Sequence, residues 1–331
     1  MSKIAVVSFG LGPIGVEILK KCSLEEHIEV VGGVDVDPQK LELPLSELVS
    51  EAPTNRHIHD NISKLQHIVS AYEHKVAVHA TGSHLPSVWP QIKELLDHGF
   101  HVVSTCEELL YPWHRYPELS AEIDQYAQRK GKAVIGTGIN PGFVMDTLPL
   151  VASTVTDGIT RIQIKRHVDA SKRRVPLQQK VGIGKTVKAF EELAKDNAIG
   201  HVGLEESLRM LAAVLALRSK TLTHHYNLFY LSKNCLFLGL TWKLEMSQGS
   251  FRRVQSQKKE HSNNKWQQVR LKTQFLSKGM IHVQLLIPNG IFGDTATASM
   301  IVNVGKSLAW QEQVGLVTMM DGGLPRYRYK G

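Results

Sequence analysis

Ile4-Ala5-Val6-Val7-Ser8-Phe9-Gly10-Leu11-Gly12-Pro13-Ile14-Gly15-Val16-Glu17-Ile18-Leu19-Lys20-Lys21 is the stretch that decides the fold. The apolar run predicts a buried strand, the glycines a turn, and the spacing from Val16 onward a helix. In a dinucleotide-binding turn the first glycine permits the tight bend. The second lets backbone approach a pyrophosphate, and the third lets the helix pack closely on the strand. The helix N-terminus then offers its free N–H groups to phosphate. A lone GxGxxG is weak support, but a second apolar run, Val30-Val31-Gly32-Gly33-Val34, ends in Asp35, twenty residues past Gly15. Such folds place a carboxylate there, on the adenosine ribose. The two runs together predict a nicotinamide-dinucleotide site made by Gly10, Leu11, Gly12, Pro13, Ile14, Gly15 and Asp35. Asp35 favours NAD, because it accepts from ribose hydroxyls and repels a 2′-phosphate; NADP stays open if Lys40 or another cation folds back toward the site.

Strand and helix patterns then alternate. Strands are expected over Val76–Ala80, His101–Ser104 and Ala133–Gly136, with helices over Ile62–Tyr72, Val88–His98 and Glu118–Lys130. This alternation implies a doubly wound parallel α/β sheet over the first 140 residues. After Asp146 the pattern changes: Thr160–His167 alternates as a strand of an antiparallel sheet, and helices follow at Val187–Asp196 and Leu204–Leu217. The expected division is a Rossmann-type domain over 1–145, completed by a C-terminal helix within 293–331, and a second α+β substrate and dimerisation domain over 146–292.

Composition bounds the class. The 331 residues are 42% hydrophobic and contain no run of 18 apolar residues, and Met1-Ser2-Lys3 leads straight into the first strand. The expectation is a soluble cytoplasmic protein without a membrane partner. Cys22, Cys106 and Cys235 lack CxxC spacing, and the sixteen histidines form neither HxxxH nor HExxH, so no metal is expected. The net charge of +8 is local: Ser219–His282 holds eleven Lys/Arg against two Asp/Glu, leaving 28 basic and 29 acidic side chains elsewhere. A nucleic-acid partner for that segment is the competing reading. It is disfavoured, because such binding needs the cations gathered on one surface with stacking aromatics.

Ligands of open α/β sheets bind outside the carboxyl ends of the strands. Three groups fall there: Ala80-Thr81-Gly82, Thr105-Cys106-Glu107-Glu108, and Asn140-Pro141-Gly142. The glutamates either begin a helix, where the dipole favours carboxylates, or act as a general acid/base. Asn140-Pro141-Gly142 is either a proline-glycine turn or a rim over the nicotinamide. Further on, Arg166-His167-Val168-Asp169-Ala170-Ser171-Lys172-Arg173-Arg174 is either a solvated charged face or a clamp for a substrate carboxylate, since guanidinium groups match carboxylates in bidentate geometry.

Several strings in this order resemble the dihydrodipicolinate reductase-like superfamily. Within it they are most similar to 2,4-diaminopentanoate dehydrogenase and the related NAD(P)-dependent amine dehydrogenases. They are the Gly10–Gly15 turn, His79-Ala80-Thr81, Val102-Val103-Ser104-Thr105-Cys106-Glu107-Glu108-Leu109, Gly136-Thr137-Gly138-Ile139-Asn140-Pro141-Gly142-Phe143-Val144-Met145-Asp146, Asp169-Ala170-Ser171, Gly200–Ser207 and Gly293–Ala298. The resemblance implies oxidative deamination of a primary amine or amino acid to a ketone plus ammonia, reversible as reductive amination, in a homodimer. It gives the acid/base role to a glutamate of the Cys-Glu-Glu motif, with Glu108 ahead of Glu107. Ala80, Thr81, Gly82, Thr105, Cys106, Asn140 and Pro141 join the cofactor site, and Asn140, Gly142, Phe143, His167, Ser171 and Arg173 the substrate site. Thr223–His282 departs from the pattern, as does Asn289-Gly290-Ile291-Phe292-Gly293-Asp294. The alternatives are a cyclic-imine or keto-acid reductase on the same fold, or a non-catalytic dinucleotide-binding protein.

Overall fold

A computed structural model describes residues 3–155, 161–169, 202–215, 221–232, 235–245, 269–274, 282–287 and 290–321. Chain contacts divide it into two units. The first comprises Met1–Thr147, Glu205–Met210 and Phe292–Gly331, and the second Leu148–Leu204 and Leu211–Ile291.

The first unit is built on seven parallel strands among the described residues: β1 (Ile4–Phe9), β2 (Ile28–Val34), β3 (Ile58–His59), β4 (Lys75–His79), β5 (His101–Ser104), β6 (Ala133–Gly136) and β12 (Gly315–Val317). Their spatial order, β12-β6-β5-β4-β1-β2-β3, contains the 3-2-1-4-5-6 arrangement of a Rossmann sheet. Every residue of β1, β5 and β6 is buried, as expected where helices cover both faces of a parallel sheet. Those helices include α1 (Pro13–Ser23), α3 (Leu85–Asp97), α4 (Pro117–Arg129) and the late α7 (Gly293–Leu308), while α2 (Gln66–Val69) is a single turn. Apolar residues three and four apart on α3, among them Val88, Ile92, Leu95 and Leu96, join Val7, Ala77, Val102 and Val134 of the strands in one core.

Two short edge strands escape the sequence pattern. β3 has two residues and β12 three, too few for an alternation to show, and both are placed by pairing with β2 and β6. The expected helix Ile62–Tyr72 divides into a 3-10 turn, Ile62–Leu65, and α2. Asn61 caps the 3-10 turn by accepting from Ser63 N–H at 2.7 Å.

The second unit holds, among the described residues, a five-stranded antiparallel sheet ordered β11-β10-β7-β9-β8. Its strands are β7 (Arg161–Asp169), β8 (Thr221–Ser232), β9 (Cys235–Glu245), β10 (Val269–Gln274) and β11 (His282–Ile287). The alternation read over Thr160–His167 is that of β7, with Ile162 and Ile164 buried. The basic segment 223–282 contributes parts of β8, β9, β10 and β11 to this sheet. Helix α5 (Thr147–Ser153) follows the loop after β6, and α6 spans Leu204–Val214. The helix expected at Val187–Asp196 lies outside the described residues.

Two buried histidines make the first unit sensitive to acid. His79, with no exposed surface, bonds Ser104 Oγ at 2.8 Å and Gln91 Oε1 at 2.9 Å through its two ring nitrogens. Burial pushes its pKa down to about 4. His101 accepts from Ala133 N–H at 3.2 Å through Nδ1, which a protonated ring cannot do. Burial, followed by the charges of Lys132 and His74, pushes it down to about 4 as well. Both rings are neutral in the folded chain, whereas an unfolded imidazole takes up its proton near pH 6.5. Between those values the unfolded state binds more protons, so stability falls as pH drops from 6.5 to 4, by up to roughly 1.4 kcal/mol per pH unit per histidine. Urea midpoints measured across this interval should decline steadily toward pH 4; a flat profile contradicts the assignment.

Candidate active site

Four neighbouring strands end level with one another. Phe9 of β1 pairs with His79 of β4, His79 with Ser104 of β5, and Ser104 with Gly136 of β6. The ladder runs one residue past each strand: Ala80 N–H donates to Phe9 O at 2.8 Å, Thr105 N–H to His79 O at 2.9 Å, and Thr137 N–H to Ser104 O at 2.9 Å. Residues far apart in sequence, Gly10, Ala80, Thr105 and Thr137, thereby stand in one row. The β1/β4 junction in this row is the point where strand order reverses, the place such sheets keep for a dinucleotide.

The glycines of the first turn have distinct geometries. Gly10 sits at φ +87°, and a Cβ there would meet Ala80 O at 2.7 Å. At Gly15 it would stand 1.8 Å from Gly10 O, so helix and turn touch backbone to backbone. At Gly12 a Cβ would meet nothing within 4 Å. Gly12 is also the N-cap of α1, with no side chain capping it and Pro13 following. The start of α1 therefore has open space beside it at Gly12, the arrangement that accepts a pyrophosphate.

Asp35 follows β2 and reaches back to this turn. Its Oδ2 accepts from Leu11 N–H at 2.7 Å and its Oδ1 from Asp37 N–H at 2.9 Å. Burial works to raise its pKa, but those two hydrogen bonds and the Lys40 charge outweigh it and hold the carboxyl below the usual range. Across the row, Thr81 Oγ1 lies 2.9 Å from His79 Nε2 and donates to Gln91 Oε1 at 2.6 Å, which fixes the hydroxyl beside Gly10.

Cys106, Glu107 and Glu108 leave β5 into a one-turn 3-10 helix, Glu107–Leu109. The Glu108 side chain is 4% exposed. Its Oε2 accepts from Leu85 N–H at 2.9 Å and from Tyr116 O–H at 3.0 Å, and its Oε1 lies 3.1 Å from His84 Nδ1. Leu85 is the first residue of α3, so Glu108 caps that helix in place of its own N-cap residue, His84. This explains why α3 starts three residues before the periodicity predicts. Burial, then the bond to Glu108, pushes the Tyr116 phenol up to about 12. Glu107 is half-buried. The Cys106 thiol is pushed up by burial first and next by the Glu107 charge, which acts on it more strongly than that of Glu108.

Asn140 lies in the loop after β6, before a cis peptide to Pro141, and its side chain is buried with neither Oδ1 nor Nδ2 hydrogen-bonded. The Thr137 hydroxyl is likewise buried and unbonded. Everything around them is anchored. Asp146, with no exposed surface, accepts from Gly142 N–H at 2.8 Å, Thr147 N–H at 2.6 Å and Ser207 O–H at 2.7 Å. Ile139 N–H donates to Thr297 Oγ1 of α7 at 3.3 Å. Gly142, at φ +124°, leaves no room for a Cβ against Gly138. A buried amide with no partner in so fixed a loop is the strongest local sign of a ligand, because an unmet buried polar group costs about 1–3 kcal/mol.

A nicotinamide dinucleotide fits these residues: open backbone at Gly12 for phosphates, an acidic group at the end of β2, and unmet polar atoms at Thr137 and Asn140. Among the described residues no group of His, Cys, Asp or Glu is arranged to hold a metal, and no helix is long and apolar enough to cross a membrane. Phe143 is half-buried in the Asn140 loop. His167 lies on β7 opposite Gly239 of β9. Ser171 and Arg173 lie outside the described residues. Sequence reading missed Thr137, Asp146 and Tyr116 as parts of the site, though Thr137 and Asp146 stand inside strings it had singled out.

The chain has the fold of the Rossmann-type dehydrogenases that carry a second, sheet-containing domain. The amine dehydrogenase of Mycobacterium smegmatis superposes with a TM-score of 0.72 at 20% identity, covering 99% of this chain and 98% of that one. GenD2 of gentamicin A biosynthesis, whose structure contains NAD, gives 0.52 at 10% identity over 97% and 90%. Residues 143–228 match the family model of the 2,4-diaminopentanoate dehydrogenase C-terminal domain. The 2,4-diaminopentanoate dehydrogenase of Acetoanaerobium sticklandii is 28% identical over 215 residues, 64% of this chain, and the match spans 60% of that relative's length. The resemblance to 2,4-diaminopentanoate dehydrogenase thus holds in sequence, and the likeness of fold to an amine dehydrogenase holds in structure.

The turn makes two opposite glycine substitutions informative. Gly15→Ala forces backbone apart and should destabilise the chain by more than about 3 kcal/mol. Gly12→Ala, with open space and φ −68°, should leave the melting temperature within a degree or two while weakening dinucleotide binding about tenfold or more. Thermal melts and fluorescence titration with NADH check both.

Proposed function

We propose that this chain is an NAD(P)-dependent amine dehydrogenase, with NAD favoured, that converts a primary amine of the 2,4-diaminopentanoate kind to ketone and ammonia, reversibly. One observation carries the reading: the unmet Asn140 amide, buried in a loop that continues the row Gly10, Ala80, Thr105 and Thr137. A bound dinucleotide supplies the oxidant, a nicotinamide ring that takes hydride from the carbon bearing nitrogen. The residues supply the rest. Asn140 offers two N–H donors and one acceptor in a desolvated place, suited to orienting an amine nitrogen or a carboxamide. A carboxylate is needed to take protons from the amine and to activate the water that completes deamination.

The resemblance puts Glu108 first in that role, and the geometry supports the other glutamate. Three groups on or beside α3 and α4 engage the Glu108 oxygens, which suits holding the turn. Glu107 sits in the same turn, half-buried, and its charge raises the neighbouring Cys106 thiol more than that of Glu108 does. Glu107 is therefore proposed as the proton carrier and Glu108 as the residue that positions it. The Arg166–Arg174 run is proposed to anchor a substrate carboxylate, Arg173 foremost. This rests on charge and on the match of 143–228 to the diaminopentanoate dehydrogenase domain.

Reduced-cofactor formation should be followed with 2,4-diaminopentanoate, other amino acids and uncharged amines of similar size. Turnover is expected with the diamino acid; no turnover with any amine refutes the reading. With the active amine, Glu107→Gln should lower kcat by about 10² at an unchanged melting temperature, and Glu108→Gln should cost about 1–3 kcal/mol of stability. A kcat loss of that size at Glu108 without loss of stability reverses the two roles.

A further inference from the structure

Glu206, in the first turn of α6, is a buried carboxylate with one oxygen engaged and the other bare. The residue is 1% exposed; its Oε1 accepts from Arg115 Nε, whereas its Oε2 is buried without a hydrogen bond. The turn that carries it is held from two sides. Ser207 O–H donates to Asp146, which also fixes Gly142 of the Asn140 loop. Arg115 comes from the segment that follows the Glu107–Leu109 turn, and the next residue, Tyr116, donates to Glu108. Glu206 is therefore tied both to the Asn140 loop and to the segment that holds the glutamate pair, all within the first unit. The carboxylates also sense each other: burial foremost raises the Glu206 pKa, Arg115 pulls it back, and the Glu108 charge adds to the rise.

Arg115 does not neutralise this group. Its guanidinium also donates to Glu205 at 3.1 Å, and Arg209 reaches the other oxygen of Glu205 at 3.1 Å. Three carboxylates, Glu108, Glu205 and Glu206, against two guanidinium groups, Arg115 and Arg209, leave one formal negative charge. A desolvated carboxylate oxygen without a partner is costly, and a cationic N–H donor meets it best, because it supplies charge and hydrogen bond together. A diamino substrate brings such a donor. Only one of its two amines is oxidised, and the other stays an ammonium; with a single carboxylate, a diamino acid is a net cation, opposite in sign to the cluster. We propose that Glu206 Oε2 receives the ammonium that is not oxidised, and so selects diamino over monoamino acids. This rests on the amine-dehydrogenase reading above.

Steady-state kinetics on one carbon chain test it, with 2,4-diaminopentanoate, 2-aminopentanoate and 4-aminopentanoate as substrates. Each monoamine keeps the carboxylate and lacks one ammonium. The wild type should favour the diamino acid over the better monoamine by about tenfold or more in kcat/KM, with the difference lying in KM. Glu206→Gln keeps an acceptor for Arg115 while removing the charge, and it should bring that ratio to within about threefold. A ratio that Glu206→Gln leaves as it was, because both kinds of amine lose equally, makes Glu206 a support of the fold and overturns the inference. A wild type that treats diamino and monoamino acids alike overturns it too, whether or not the variant folds. In both of those cases amine turnover leaves the dehydrogenase reading standing. No turnover with any amine overturns that reading and this inference together.

Discussion

The level ending of β1, β4, β5 and β6 is the constraint on which the site depends. Parallel pairing fixes Phe9, His79, Ser104 and Gly136 side by side, and the ladder continues one step beyond each. A register shift of one residue at any of these strands would exchange the side chains on its two covered faces. Between β1 and β4 it would also separate the glycine turn from Ala80 and Thr81. The backbone contact of Gly15 with Gly10 then sets where the α1 N-terminus points, and Asp35 pins the turn from the neighbouring strand. Sheet, turn and helix end are one rigid object, which is what a preorganised phosphate site requires.

Two kinds of buried polar group stand out in the first unit. His79, Asp146 and Glu108 are fully engaged: each binds segments remote in sequence, such as β4 to β5, the Asn140 loop to α6, or β5 to α3. Such satisfied networks specify one arrangement of the core. Thr137 and Asn140 are buried with unmet side-chain atoms in a loop those networks hold still. This division separates residues that build the cradle from residues that await something in it.

The dinucleotide unit was largely legible because its signals are local. The Gly10–Gly15 turn, Asp35 and the apolar runs over 30–34, 76–80, 101–104 and 133–136 each declare their element within a few residues. What stayed hidden depends on partners distant in the chain. The start of α3 at Leu85 is set by a carboxylate 23 residues later, the two edge strands exist through pairing alone, and Glu206 acquires meaning only beside Arg115. The basic stretch 223–282 is weakly patterned as sequence, yet it contributes to β8, β9, β10 and β11 of one antiparallel sheet, where long-range pairing rather than local periodicity holds the strands together.

The central claim is that the site joins a nicotinamide dinucleotide to the chemistry of a carbon–nitrogen bond. Reductive turnover in ¹⁵N-ammonium tests it most directly, with the keto acid corresponding to the active amine, NADH or NADPH, and mass analysis of the product. The account predicts cofactor oxidation that requires ammonium and a product amine carrying one ¹⁵N per turnover. Cofactor oxidation that proceeds equally without ammonium, giving an alcohol and no labelled amine, would contradict it.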